Sequence, residues 1–136
     1  MDDVRGLCDR VRETAFAIHV FLGPGHLEKV YENALAHRLT KLGIEVERQK
    51  PLSVSDEDGT VVGTYTADLL VDGRLLVELK AVARLGTEHV AQIVGYLKAA
   101  RLRDGLLINF GSAVLSIRKY QNNLSGAPVT ESALTR

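Results

Sequence analysis

The stretch Thr64-Tyr-Thr-Ala-Asp68, followed nine residues later by Val77-Glu78-Leu79-Lys80, decides how this chain folds. Tyr65 to Val71 is rich in strand formers, and Leu75 to Val82 is an apolar run broken only by Glu78 and Lys80. Between them, Asp72-Gly73-Arg74 is a hairpin turn signal. With Asp-Gly-Arg as the loop, Val71 pairs with Leu75 and Asp68 falls opposite Glu78. A two-residue loop shifts the pairing by one and makes the two acids near neighbours instead. Side chains alternate along a strand, so Glu78 and Lys80 share a face. Either register gathers two carboxylates and an ammonium at one spot. Such carboxylates repel, and a divalent cation between them is one way to relieve that. The competing reading is an exposed hairpin face with a salt bridge, or charges that blunt an edge strand. Position weighs against it, because Leu-Leu-Val-Glu-Leu-Lys-Ala-Val is apolar enough for a central strand, where unpaired charge is costly.

Outward from the hairpin, apolar residues at 4, 7, 8, 11, 15, 18, 21 and 22 predict an amphipathic helix over Val4 to Leu22. Gly23-Pro24-Gly25 stops it. A second helix is expected from about Leu27 to Leu42, with Val30, Leu35, Leu39 and Leu42 on its buried side and Gly43 closing it. Strands are expected near Ile44–Gln49, Leu52–Ser55, Val61–Val71 and Leu75–Ala83, with Asp56-Glu-Asp-Gly59 as an exposed turn. Thr87 is the expected cap of a third helix to about Leu102, with Glu88 favourable in its first turn. Gly105–Phe110 and Ala113–Tyr120 read as two further strands. From Gln121 the composition turns to Asn, Ser, Gly, Pro and Thr, which predicts a disordered tail over 121–136 after one domain over 1–120. The order is α/β, compatible with a mixed sheet flanked by helices.

Several residues invite a chemical reading beside a plain one. Glu28, Tyr31 and Glu32 lie on one side of the second helix. Locally, Glu28 is a first-turn acid favoured by the helix dipole and Tyr31 a core aromatic with a satisfied hydroxyl. Gln92 and Tyr96, one turn apart on the third helix, would face the hairpin together. A glutamine there can bond a carboxylate, a metal-held water or a phosphate oxygen. Asn109 is expected to satisfy backbone groups at a strand end. His19, His26, His37 and His89 show no zinc-ligand spacing with one another or with Cys8. His26 and His89 are read as surface residues, although both fall in segments near the site.

Taken together, these motifs resemble a known family. Asp68-x9-Glu78-x-Lys80 resembles the active-site signature of the PD-(D/E)XK nuclease superfamily. Gly25-His-Leu-Glu28-Lys-Val-Tyr31 resembles the motif that names the GxxExxY protein family, a branch of that superfamily. Gln92-Ile-Val-Gly-Tyr96-Leu-Lys-Ala and Gly105-Leu-Leu-Ile-Asn109-Phe-Gly111 are similar to that family too, in its order, so the likeness runs from about Phe16 to Tyr120. The resemblance implies a restriction-endonuclease-like core, a small central mixed β-sheet with helices on both sides. It also implies metal-assisted phosphodiester hydrolysis. Asp68, Glu78 and the backbone carbonyl of Leu79 would hold one or two Mg²⁺ or Mn²⁺ ions, and Lys80 would position or deprotonate the attacking water. Glu28 would point into the site as a further acidic ligand or orienting group, Gln92 would assist, and Tyr31 and Tyr96 would support them.

Composition bounds these expectations. The chain has 136 residues, 46% of them hydrophobic and 25% charged, ordinary for one globular domain with a real core. No apolar run approaches the length of a membrane span, so no membrane partner is expected. Met-Asp-Asp-Val-Arg does not resemble a secretory signal, and the single Cys8, read as a packed side chain, fits a reducing cytoplasm. Net charge is zero and the pI about 6.9, which argues against broad electrostatic affinity for nucleic acid but allows a local strip such as Lys98, Arg101 and Arg103. Nucleic acid is the expected partner, DNA before RNA, and a homodimer is one way to supply a longer groove. The alternative function is an accessory protein on the same fold that binds nucleic acid or metal without efficient cleavage. A purely structural interaction domain has no need of Asp68, Glu78, Lys80 and Glu28 together.

Overall fold

A six-stranded mixed sheet runs through the molecule with its strands in chain order, two helices on one face and one on the other. The structure, a computed structural model, describes residues 3–135. Met1, Asp2 and Arg136, which the readings of the N-terminus and the tail include, lie outside the described residues. The elements are α1 (Val4–Leu22), α2 (Glu28–Lys41), β1 (Val46–Ser55), β2 (Val61–Val71), β3 (Leu75–Lys80), α3 (Thr87–Ala100), β4 (Asp104–Asn109), β5 (Ser116–Gln121) and β6 (Thr130–Thr135). All neighbouring strands are antiparallel except β3 and β4, which run parallel because α3 carries the chain back between them. Among the described residues no helix is long and apolar enough to cross a membrane.

Alternation on the central strands sorts the core into two halves. Leu75, Val77, Leu79, Leu106 and Ile108 face α1 and α2, packing on Val11, Ile18, Leu35 and Leu39. Leu76 and Leu107 face α3 and meet Ile93 and Leu97. Gly105 of β4 lies under α3, where an added Cβ would stand 3.2 Å from methyl carbons of Ile93 and Leu97, so the absent side chain lets the helix sit down on the sheet.

The sequence expectations meet the structure closely for α1, β2 and the hairpin turn. Asp72 and Gly73 both take positive φ, 56° and 69°, and the Arg74 N–H donates to the Val71 carbonyl at 3.1 Å. Val71 pairs with Leu75, the three-residue loop alternative, and continuing that register sets Asp68 opposite Glu78. Elsewhere there are corrections. The buried face of α2 carries Tyr31, Leu35, Ala36 and Leu39, while Val30 and Leu42 are exposed. Tyr31, Leu35 and Leu39 recur at four-residue steps and win the face by volume. The two short strands expected around Pro51 are one strand, β1; as the sheet's edge it leaves the proline nitrogen on a side that requires no donor. Thr87 is the first residue of α3, not its cap. Gly86 precedes it, and the His89 ring accepts the Gly86 N–H through Nδ1 at 3.0 Å.

The tail expectation is the largest departure. Instead of disorder throughout 121–136, Thr130–Thr135 forms β6, paired antiparallel with β5 from Gln121↔Thr130 to Ser116↔Thr135. The open edge of β5 supplies what the tail's own composition does not. Asn122 ties the turn that precedes β6 to α3 by donating to the carbonyls of Leu97 at 3.3 Å and Leu102 at 3.1 Å.

Candidate active site

β2 follows β1 along its whole length but pairs with β3 only from Val71↔Leu75 to Leu69↔Val77. Beyond that rung the two strands part, and the next bonds across the gap come from side chains. The Asp68 N–H donates to Glu78 Oε2 at 2.7 Å, and the Leu79 N–H donates to Asp68 Oδ2 at 2.8 Å. Two carboxylates have thus replaced two ladder carbonyls. N–H and C=O of one strand residue point the same way, so the Leu79 carbonyl is directed into the same gap.

A change of face at Asp68 creates the gap. Ala67 packs on the α3 side of the sheet and Leu69 on the α1–α2 side, although residues two apart on a regular strand share a face. Opposite Asp68 in β1, between the pairs Arg48↔Leu69 and Lys50↔Ala67, stands Gln49 with φ of +50°. Its side chain donates to Glu32 Oε1 at 2.8 Å, and Glu32 also accepts from Arg48 at 3.1 Å and Lys29 at 3.0 Å. Only 3% of Glu32 is exposed. α2 therefore grips β1 where β2 is wrung, a buried carboxylate with three donors around it. Sequence reading gave Glu32 no role, and no local signal joins it to Arg48 and Gln49.

Glu78 is 2% exposed, and burial first, then the Asp68 charge, raises its pKa to about 8. Asp68 is raised as well, by burial and more weakly by Glu32, against the Leu79 N–H bond that lowers it. Lys80, half-buried, pulls Glu28, Asp68 and Glu78 the other way. Among the described residues its ammonium makes neither an ion pair nor a hydrogen bond. Glu28 is exposed at the start of α2, and its carboxyl is raised by partial burial and by Asp68 and Glu32. These mutual effects place Glu28, Asp68, Glu78 and Lys80 in one electrostatic neighbourhood, with His89 acting on Glu28.

Gln92 and Tyr96 join them from α3. The Gln92 amide donates to the Tyr96 hydroxyl at 3.1 Å, and the Tyr96 hydroxyl is raised by burial and by Glu78 and Asp68. Gln92 Oε1 is shut off from solvent without a hydrogen-bond partner, a buried acceptor in want of a donor. Tyr31, by contrast, serves the core. It stacks on Phe110 with centroids 4.6 Å apart, and its hydroxyl donates to the Gly23 carbonyl at 2.6 Å while accepting the His26 N–H at 3.1 Å. It pins the Gly23–Leu27 turn that aims Glu28, and makes no bond to Glu28. Asn109 is spent on the backbone, accepting from Val82 and Gly111 at 3.0 Å each and donating to the Val82 carbonyl at 2.9 Å.

The family model for the PD-(D/E)XK nuclease superfamily matches residues 5–120 of this chain. The chain belongs to the PD-(D/E)XK nuclease superfamily. Neither a curated protein nor a solved structure matches it. Membership of this nuclease superfamily accords with the α/β sheet flanked by three helices. Nucleases of the superfamily act on nucleic acid and generally use divalent metal ions. The donor set fits such an ion. Asp68 and Glu78 each have one oxygen engaged by a backbone N–H and one left over, the Leu79 carbonyl faces the gap, and Gln92 Oε1 awaits a donor such as water. Among the described residues no three His, Cys, Asp or Glu side chains converge, so the set suits a hard ion that keeps several waters and not a closed zinc cage.

Proposed function

We propose that this chain is a metal-dependent nuclease of the GxxExxY branch, hydrolysing phosphodiester bonds with Asp68, Glu78 and the Leu79 carbonyl as holders of Mg²⁺ or Mn²⁺. The observation that carries the reading is the parted β2–β3 ladder. A buried carboxylate, Glu78, and a half-buried one, Asp68, are fixed there by each other's strand beside an ammonium with no ion-pair partner among the described residues. Repulsion in that pair is what a bound cation relieves. What a divalent ion supplies is a water of lowered pKa and neutralisation of charge on the phosphate.

The side chains do the rest. Lys80 holds the attacking water in line with phosphorus and offsets the charge that gathers on the phosphate oxygens. Gln92 accepts a hydrogen bond from a water through Oε1 while Tyr96 holds its amide end. Glu28, reached last at the rim, takes up or returns a proton; its raised pKa suits it to that exchange. DNA is the first substrate to test, within a reducing cytoplasm, and a homodimer would extend the short groove of one copy.

Labelled single- and double-stranded DNA and RNA, incubated with Mg²⁺ or Mn²⁺, decide the matter. Wild type is expected to cut at least one of them and Lys80→Ala none, while calorimetry shows metal bound by Lys80→Ala and not by Asp68→Ala or Glu78→Ala. Undiminished metal binding by Asp68→Ala would overturn the ligand assignment. A specific observation also favours a second reading: both carboxylates already accept backbone bonds, so the pair serves the sheet whether or not cleavage occurs. Metal binding without cleavage of any substrate would establish that accessory role.

A further inference from the structure

On the α3 side of the sheet, β1 and β2 leave a cleft of about 610 Å³ along the last turns of α3. Tyr65 forms one wall and stacks on Tyr96 with centroids 5.0 Å apart and planes 29° from parallel. Tyr96 is buried and touches the site through Gln92, whereas Tyr65 is 45% exposed. Lys98 and Arg101 stand at the far end, and among the described residues neither is held in an ion pair. Arg101 sits in the left-handed region at φ 53°, a conformation that ends α3 and turns the residue to where this cleft meets two others.

The floor carries the least expected feature. Gly95 lies in the interior of α3, where glycine weakens a helix relative to alanine, and a Cβ added there would meet nothing within 4 Å. Packing within the protein therefore does not require it, in contrast to Gly105 in the next element, β4. A missing side chain with open space above it keeps the helix backbone within reach of something outside the chain. Lys98 alone could be a last-turn cation favoured by the helix dipole, but that accounts for neither Gly95 nor the exposed face of Tyr65.

We infer that this cleft is the track of the substrate strand: an unpaired polynucleotide passes over Gly95, stacks a base on Tyr65, and sets phosphates against Lys98 and Arg101. The inference rests on the nuclease reading above and sharpens it to single-stranded or locally unpaired nucleic acid. Exposed aromatic rings bind any base through its π-face, and cations beside them follow the backbone. The cleft has the size of a small-ligand site, room for a nucleotide or two. A chain of zero net charge is also poorly suited to gripping a duplex along its length.

Gly95→Leu is the sharpest test, because it puts a side chain into the cleft from a position where an added Cβ meets nothing within 4 Å. Binding of fluorescent oligothymidylate, oligouridylate and a matched DNA duplex would be followed by anisotropy in EDTA, so that cleavage plays no part. Wild type is expected to prefer the single strands. Gly95→Leu and the double variant Lys98→Ala/Arg101→Ala should each weaken that binding by at least about ten-fold. Gly95→Leu should melt no lower than wild type and bind Mg²⁺ as wild type does. Single-strand binding by Gly95→Leu at wild-type strength, or tighter binding of duplex than of single strand, overturns the track while leaving the nuclease reading in place. Failure of wild type to bind any of the three polynucleotides overturns the track as well, and the cleavage assay with Mg²⁺ or Mn²⁺ decides the nuclease reading separately.

Discussion

Glu78 carries a proton in the folded protein up to about pH 8, because burial and the neighbouring Asp68 oppose its ionisation, whereas an unfolded chain releases that proton near the ordinary value of 4.5. Between those limits the unfolded state binds fewer protons, so the metal-free fold loses stability as the pH rises from about 4.5 through about 8. Melting in EDTA should therefore fall across that window, and Glu78→Gln, which cannot ionise, should gain on wild type steadily toward the alkaline end. Equal slopes for the two proteins would contradict the assignment. A divalent cation competes with the same proton, so affinity for Mg²⁺ should rise over the same interval. A different substitution separates the two tasks of Asp68. Asp68→Asn keeps an oxygen for the Leu79 N–H, whereas Asp68→Ala leaves that buried donor unmet, at about 1–3 kcal/mol. Both should lose metal in calorimetry, but only the alanine variant should lose that much in denaturant titrations.

Between β3 and β4 the chain is sewn shut by Asn109 and Gly111. A Cβ on Gly111 would lie 2.3 Å from the Val82 nitrogen and 2.4 Å from its oxygen, so Gly111→Ala must push the backbone that follows Lys80. Such overpacking costs about 1–3 kcal/mol, and here it should lower the midpoint of unfolding and, by tilting Lys80, reduce turnover more than metal affinity. Turnover unchanged beside a lowered midpoint would show that Lys80 tolerates the shift. The hairpin, by contrast with this seam, was legible in the sequence because Asp72-Gly73 acts within four residues; it leaves two registers open, and the pairing of Val71 with Leu75 selects the one that sets Asp68 opposite Glu78. Asn109 was legible as a satisfier of backbone groups for the same reason, since a polar residue in a buried strand end must bond something close. Glu32 was not. Its partners Arg48 and Gln49 lie a helix and a turn away, and the positive φ of Gln49 is imposed by that contact, not announced by the residue. Tyr31 was legible as a core aromatic with a satisfied hydroxyl, which it spends on Gly23 and His26, whereas the bond to Glu28 that the resemblance allowed is not made.

Taken as a whole, the sheet has two edges, β1 and β6, and β6 is the one that composition concealed. Ser, Asn, Gly and Pro dominate its approach, and only the unpaired edge of β5 makes a strand of Thr130–Thr135. The pairing also gives the Tyr120 hydroxyl a bond to Glu131, and burial first, then that bond, raises the phenol to about 12. Ending the chain after Gln121 should therefore uncover β5 and Tyr120 together. We expect a lower melting temperature and concentration-dependent association, seen as a rising mass in light scattering, since an exposed edge strand pairs with other chains. A truncated chain that stays monomeric with its melting unchanged would mean that β6 is dispensable. The parted ladder has a practical consequence of its own. Because each acid at the gap is also a rung of the sheet, an inactivated mutant chosen by habit would be a poor control in living cells. Alanine at Asp68 would lower the amount of protein along with its chemistry, and a lost phenotype would be read as lost cleavage when it was partly lost abundance. Lys80, whose side chain makes neither an ion pair nor a hydrogen bond among the described residues, is on the nuclease reading proposed above the position at which to silence the protein and keep it.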